Sequence, residues 1–85
     1  MHKGSVMLQP EVTCVVPLKD YKLDLTFDTG EMRVFDVTPY ISGDWYGQLL
    51  DIEYFSSVRV AERTVKWAGG QDIAPHELYE LSEPR

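Results

Sequence analysis

Tyr21-Lys22-Leu23-Asp24-Leu25-Thr26-Phe27-Asp28-Thr29-Gly30-Glu31-Met32-Arg33-Val34-Phe35-Asp36-Val37 decides the fold. Tyr21, Leu23, Leu25 and Phe27 alternate with Lys22, Asp24, Thr26 and Asp28, the period of a strand buried on one face. Asp28-Thr29-Gly30 then reads as a three-residue hairpin with a bulge, Gly30 taking the left-handed conformation. The return strand, Glu31 to Val37, is apolar on both sides: Met32 and Val34 alternate with Phe35 and Val37. Such a strand is expected to be covered on both faces, by a helix on one and by a second subunit on the other.

Working outward, Val12 to Leu18 is β-branched and apolar, with Pro17 marking an edge or terminal strand. Lys19-Asp20 supplies the turn into Tyr21. On the other side, Thr38 before Pro39 has the chemistry of a helix start that Gly43 would stop. From Asp44 to Ser56, Leu49, Ile52 and Phe55 are spaced like one helix face. Asp51 is placed to cap a new turn at Ile52, which leaves one helix or two short ones open. Val58 to Ala61 and Thr64 to Trp67 read as a second hairpin around Glu62-Arg63, a turn without Gly or Asn. Pro75 opens a last helix with Glu77 in its first turn and Leu78 and Leu81 as its apolar stripe. The expectation is an α+β domain: a mainly antiparallel sheet, built as a three-stranded meander plus a hairpin, with short helices packed on it.

The 85 residues hold one domain, expected over residues 10–85 behind a flexible leader at residues 1–9. Eight basic against fourteen acidic residues give a net charge of −6, which opposes unaided binding to nucleic acid. The single cysteine, Cys14, has no internal partner and reads as a small strand residue rather than a nucleophile. No apolar run suits a signal peptide or a membrane span, so a cytoplasmic protein with no membrane association is expected.

Asp72 and His76, four residues apart across a helix start, are the candidates for chemistry, with Glu77 or Asp36 as further members of an acid–base or metal cluster. Metal sites need three or four ligands, and no second His or Cys stands at a recognisable spacing, so no metal is expected. Gly69-Gly70 before a helix invites a phosphate-loop reading, but lacks the Lys and Ser/Thr of that loop and is followed by Asp72. It reads as a chain reversal after Trp67. Arg33, Arg59, Arg63 and Lys66 could form a basic stripe with Trp67 and Tyr21 as stacking platforms. Pairing with Asp24, Asp28, Glu31 or Glu62 is the competing reading. Trp45, Tyr46, Tyr54, Trp67 and Tyr79 exceed what so small a core needs, and aromatics dominate interface hot spots. Trp45 and Tyr46, with the strand face bearing Phe35, are the candidate interface. Asp72, His76, Trp67 and Tyr79 are the candidate ligand or interaction site.

Asp20-Tyr21-Lys22-Leu23, Phe27-Asp28-Thr29-Gly30-Glu31, Arg33-Val34-Phe35-Asp36-Val37 and Pro39-Tyr40 occur in that order, followed by Asp51-Ile52-Glu53-Tyr54-Phe55, Val58-Arg59-Val60, Val65-Lys66-Trp67, Gly70-Gln71-Asp72-Ile73, Pro75 and Leu78-Tyr79. This set, from about Pro10 to Tyr79, closely resembles the small bacterial family catalogued as domain of unknown function 2442. The resemblance implies a compact α+β domain, usually alone and sometimes joined to a helix-turn-helix domain, which is not expected here. It also implies a bacterial source, a protein partner encoded nearby, and no established catalytic residues or cofactor. The chain departs from the common pattern at Ile52, where proline is frequent, and at Asp44-Trp45-Tyr46-Gly47. A non-enzymatic, homodimeric protein-interaction module, antitoxin-like or a regulatory accessory, is therefore the expected function. The alternative is a small-molecule-binding protein or weak enzyme with its site around Asp72 and His76.

Overall fold

The computed structural model describes residues 9–85, so the expected leader lies outside the described residues apart from Gln9. Three strands form the meander: β1 (Val12–Leu18), β2 (Lys22–Phe27) and β3 (Met32–Asp36). All pair antiparallel, with Pro17 opposite Leu23 and Leu23 opposite Phe35. The alternation in β2 sets the register. Leu23, Leu25 and Phe27 are buried while Lys22, Asp24 and Thr26 turn to the other face. Gly30 closes the hairpin at φ 91°, its N–H donating to the Phe27 carbonyl at 2.8 Å.

Helical pieces follow. Thr38–Tyr40 is a single 3-10 turn, but Thr38 does not cap it; Asp36 Oδ1 accepts the Thr38 N–H at 2.9 Å. Gly43 does not stop a helix but opens one, α1 (Gly43–Tyr46), which runs into a 3-10 turn at Gly47–Leu50. Asp51 breaks the run with an extended backbone and accepts the Glu53 N–H, capping α2 (Ile52–Phe55). Because of that break the helical spacing does not carry through. Leu49 and Phe55 enter the core and Ile52 faces solvent.

The second hairpin, β4 (Arg59–Ala61) and β5 (Thr64–Lys66), is hydrogen-bonded as a sheet of its own and packs against β1. Glu62 and Arg63 both take positive φ, 53° and 72°, so the two-residue turn has the type I′ conformation. The last helix, α3 (Pro75–Glu80), buries Leu78 but leaves Leu81 exposed. The chain then adds a strand the pattern did not announce: β6 (Glu83–Pro84) pairs antiparallel with β3, giving the order β1-β2-β3-β6. The fold is thus α+β, a four-stranded antiparallel sheet with a two-stranded hairpin and short helices on one side.

One core joins these layers. Leu23, Leu25, Phe27, Phe35 and Val37 of the sheet side meet Leu49, Phe55, Val65, Trp67, Ile73 and Leu78. Burying each such side chain contributes about 1.5–3 kcal/mol. The exposed Arg63–Glu11 and Lys66–Glu62 pairs are each worth about 0–1 kcal/mol, so packing dominates.

Candidate interaction site

The stretch after β5 is a clamp. Trp67 is fully buried, and its Nε1–H donates to the Phe55 carbonyl at 2.9 Å. The glycine turn closes with Gly70 N–H on the Trp67 carbonyl and Trp67 N–H on the Gln71 carbonyl, both 2.9 Å. Gly70 takes φ 95°, which favours glycine there. Gln71 is buried and satisfied on both ends of its amide. Its Nε2 donates to the Trp45 carbonyl at 2.7 Å and its Oε1 accepts the Tyr54 hydroxyl at 2.8 Å. That hydroxyl accepts in turn from Gly69 N–H at 2.6 Å.

The clamp fixes the backbone of α1 and leaves its tryptophan outside. Trp45 is 50% exposed, with its ring edge-on to Tyr46 at 5.2 Å between centroids. A Cβ built on Gly70 would lie 3.8 Å from Trp45 Cζ2, so the indole rests beside the glycine turn. Tyr46 is half-buried and donates its hydroxyl to the Asp72 carbonyl at 2.8 Å. Asp44, Asp51, Glu53 and Asp72 are exposed on the same segment or on the turn joined to it.

The other candidate residues are engaged elsewhere. The Tyr79 hydroxyl reaches both oxygens of Glu31, at 2.8 and 3.0 Å. Arg33 lies over the Tyr79 ring at 4.7 Å, with Nε donating to Ser82 Oγ at 2.7 Å and Nη2 to the Ser82 carbonyl at 2.6 Å. The hydrogen bond from Tyr79, then that from Thr29, holds the Glu31 carboxyl below its usual range, and the same bond raises the Tyr79 phenol. This cluster ties α3 to the β2–β3 turn.

Glu77 accepts the Tyr40 hydroxyl at 2.7 Å; burial, then that bond, pushes the Tyr40 phenol up to about 12. The Asp36 carboxyl is held low by Thr38. Glu77 and Asp36 are thus occupied by partners other than Asp72 and His76. The latter two are exposed, and neither side chain makes a hydrogen bond or ion pair among the described residues. No group of three His, Cys, Asp or Glu able to hold a metal occurs among the described residues. The basic stripe is interrupted: Arg33 meets Glu31 and Lys66 meets Glu62, two of the partners the competing reading named, while Arg63 meets Glu11, which that reading did not name. Trp67 is inside, and the Tyr21 hydroxyl donates to the Leu50 carbonyl at 2.6 Å.

Phe35, assigned above to an outward strand face, is 1% exposed and points into the core. The outward face of β3 carries Met32 and Val34 instead, because Phe35 follows the inward parity of its partner Leu23. That face was legible only as two-sided apolarity in β3. What joins it, Leu81 and β6, gave no local signal.

No helix among the described residues is long and apolar enough to cross a membrane. A family model described as "Protein of unknown function (DUF2442)" matches residues 12–84. Comparison with curated proteins and with solved structures gave no match.

Proposed function

Because the chain belongs to that family, whose description assigns no activity, we propose from the geometry that it is a non-enzymatic protein-interaction module. It would act as a homodimer in the bacterial cytoplasm, antitoxin-like or as a regulatory accessory, on a protein encoded nearby. The observation that carries this reading is Trp45: a half-exposed indole on a backbone fixed by the buried Gln71 amide. An aromatic anchor already held in place loses little freedom on binding, which suits it to an interface hot spot. The exposed carboxylates on its segment and on the turn joined to it, with the net charge of −6, favour a basic partner. The alternative site at Asp72 and His76 has no comparable support, since neither residue lines either of two surface concavities in the described residues.

The test is a host-lysate capture with purified chain as bait, followed by affinity measurement on the captured partner. Trp45→Ala is expected to weaken that partner by at least about thirtyfold, the equivalent of about 2 kcal/mol for a hot-spot aromatic. Thermal stability should fall only slightly, because the residue is half exposed and lies outside the core cluster. A partner that binds the variant as tightly as the parent refutes the assignment.

A further inference from the structure

We infer that the outer face of the four-stranded sheet, bearing Val16, Leu18, Met32, Val34 and Leu81, is where a second copy of this chain docks. The helices and the β4–β5 hairpin share the core beneath the other face, while this one is not covered by any element among the described residues. Val16 and Met32 are each 47% exposed and Leu81 is 61% exposed. Their register places them together: Val16 pairs with Asp24, Asp24 with Val34, and Val34 with Glu83. Leu81 joins them by lining a concavity of about 170 Å³ with Lys22, Val34, Asp36 and Glu83.

The charges on this face select the occupant. Lys22 and Arg85 stand among Asp24, Asp36 and Glu83, and Arg85 Nε lies 3.2 Å from Asp24 Oδ1. Two cations against three carboxylates leave the face nearly neutral in a chain of net charge −6. A basic partner would find little to attract it here. A second copy would meet little repulsion here, and the two signs are interspersed, with Lys22 opposite Asp36 and Arg85 against Asp24. A two-fold can therefore set the cations of one copy against the carboxylates of the other, as an isologous interface requires.

Pairing through the sheet edges is disfavoured. Among the described residues both edge strands carry a proline, Pro17 in β1 and Pro84 in β6, and each lacks an N–H for an added strand. The remaining geometry is face to face. Four strands about 4.8 Å apart and about five residues long make a plate of several hundred square ångströms. That falls at or below the roughly 800 Å² per partner of a standard interface, so a weak, micromolar dimer is expected.

The inference assigns a surface to the homodimer proposed above and rests on that part of the proposal. Its test combines sedimentation equilibrium with thiol labelling, because Cys14 is exposed on this same face, opposite Thr26. For the wild-type chain, mass should rise from monomer to dimer between about 1 µM and 1 mM, and labelling per thiol should slow roughly tenfold. Val16→Lys and Met32→Glu, both at exposed positions, should keep the chain monomeric with fast labelling, whereas Trp45→Ala should dimerise like the parent. Failure of a face variant to fold leaves the wild-type labelling series to decide. A strict monomer throughout overturns both this surface and the homodimer. A dimer in which Cys14 stays reactive overturns this surface alone. Protection of Cys14 that does not change with concentration also overturns it, since another part of the same chain would then cover the face.

Discussion

Tyr54 holds the glycine turn through a single oxygen that both donates to Gln71 and accepts from Gly69. A Cβ on Gly69 would collide with that oxygen, so Gly69→Ala is expected to cost about 1–3 kcal/mol in urea unfolding. Tyr54→Phe relieves the collision but strands the buried side-chain Oε1 of Gln71, at about 1–3 kcal/mol. The double variant should cost clearly less than the sum, because one atom causes both effects. A sum that adds without interaction would separate Gly69 from the clamp. At Tyr40 the phenol is raised in the folded state, so the folded chain holds its proton where the unfolded one begins to lose it. Its contribution is full below the ordinary phenol range and is lost as pH rises toward about 12. Tyr40→Phe should therefore flatten the fall in thermal midpoint between about pH 10 and 12. The glycine turn itself was legible in Gly69-Gly70. The role of Gln71 was not, since its partners Tyr54 and Trp45 lie 17 and 26 residues away in sequence.

Among the elements, the β4–β5 turn carries the clearest local conflict. Glu62 and Arg63 occupy left-handed conformations that cost an L-residue with a full side chain about 1–2 kcal/mol each. Replacing the pair by Asn-Gly fits the turn, at the loss of two exposed ion pairs worth about 0–1 kcal/mol each. The expected net gain is about 1 kcal/mol, seen as a rise of about 4–8 °C in thermal midpoint. An unchanged or lower midpoint would mean that the ion pairs of Glu62 and Arg63 matter more than the backbone. The hairpin was readable from its two apolar runs, whereas the turn type was not, because its residues contradict the conformation. The meander was the most legible element, since alternation in β2 is a local property. β6 was the least: two residues carry no periodicity, and only the distant edge of β3 makes Glu83 and Pro84 a strand.

At the scale of the molecule the two faces differ in kind. The helical side offers an aromatic anchor among carboxylates, and the sheet side offers apolar columns with charges of both signs. Sequence patterning conveyed that β3 carries a surplus of apolar residues, on both sides, but took the face bearing Phe35 as the contact face. Only the register shows that the surplus is Val16, Met32 and Val34, with Leu81 brought beside them. The late strand has a further effect, on biosynthesis. Until the chain has been made as far as Pro84, β3 stands as a bare edge with Met32, Val34 and Phe35 and no proline to blunt it. The nascent protein is therefore most open to mispairing during the interval between the emergence of Val37 and that of Glu83, and two residues end it.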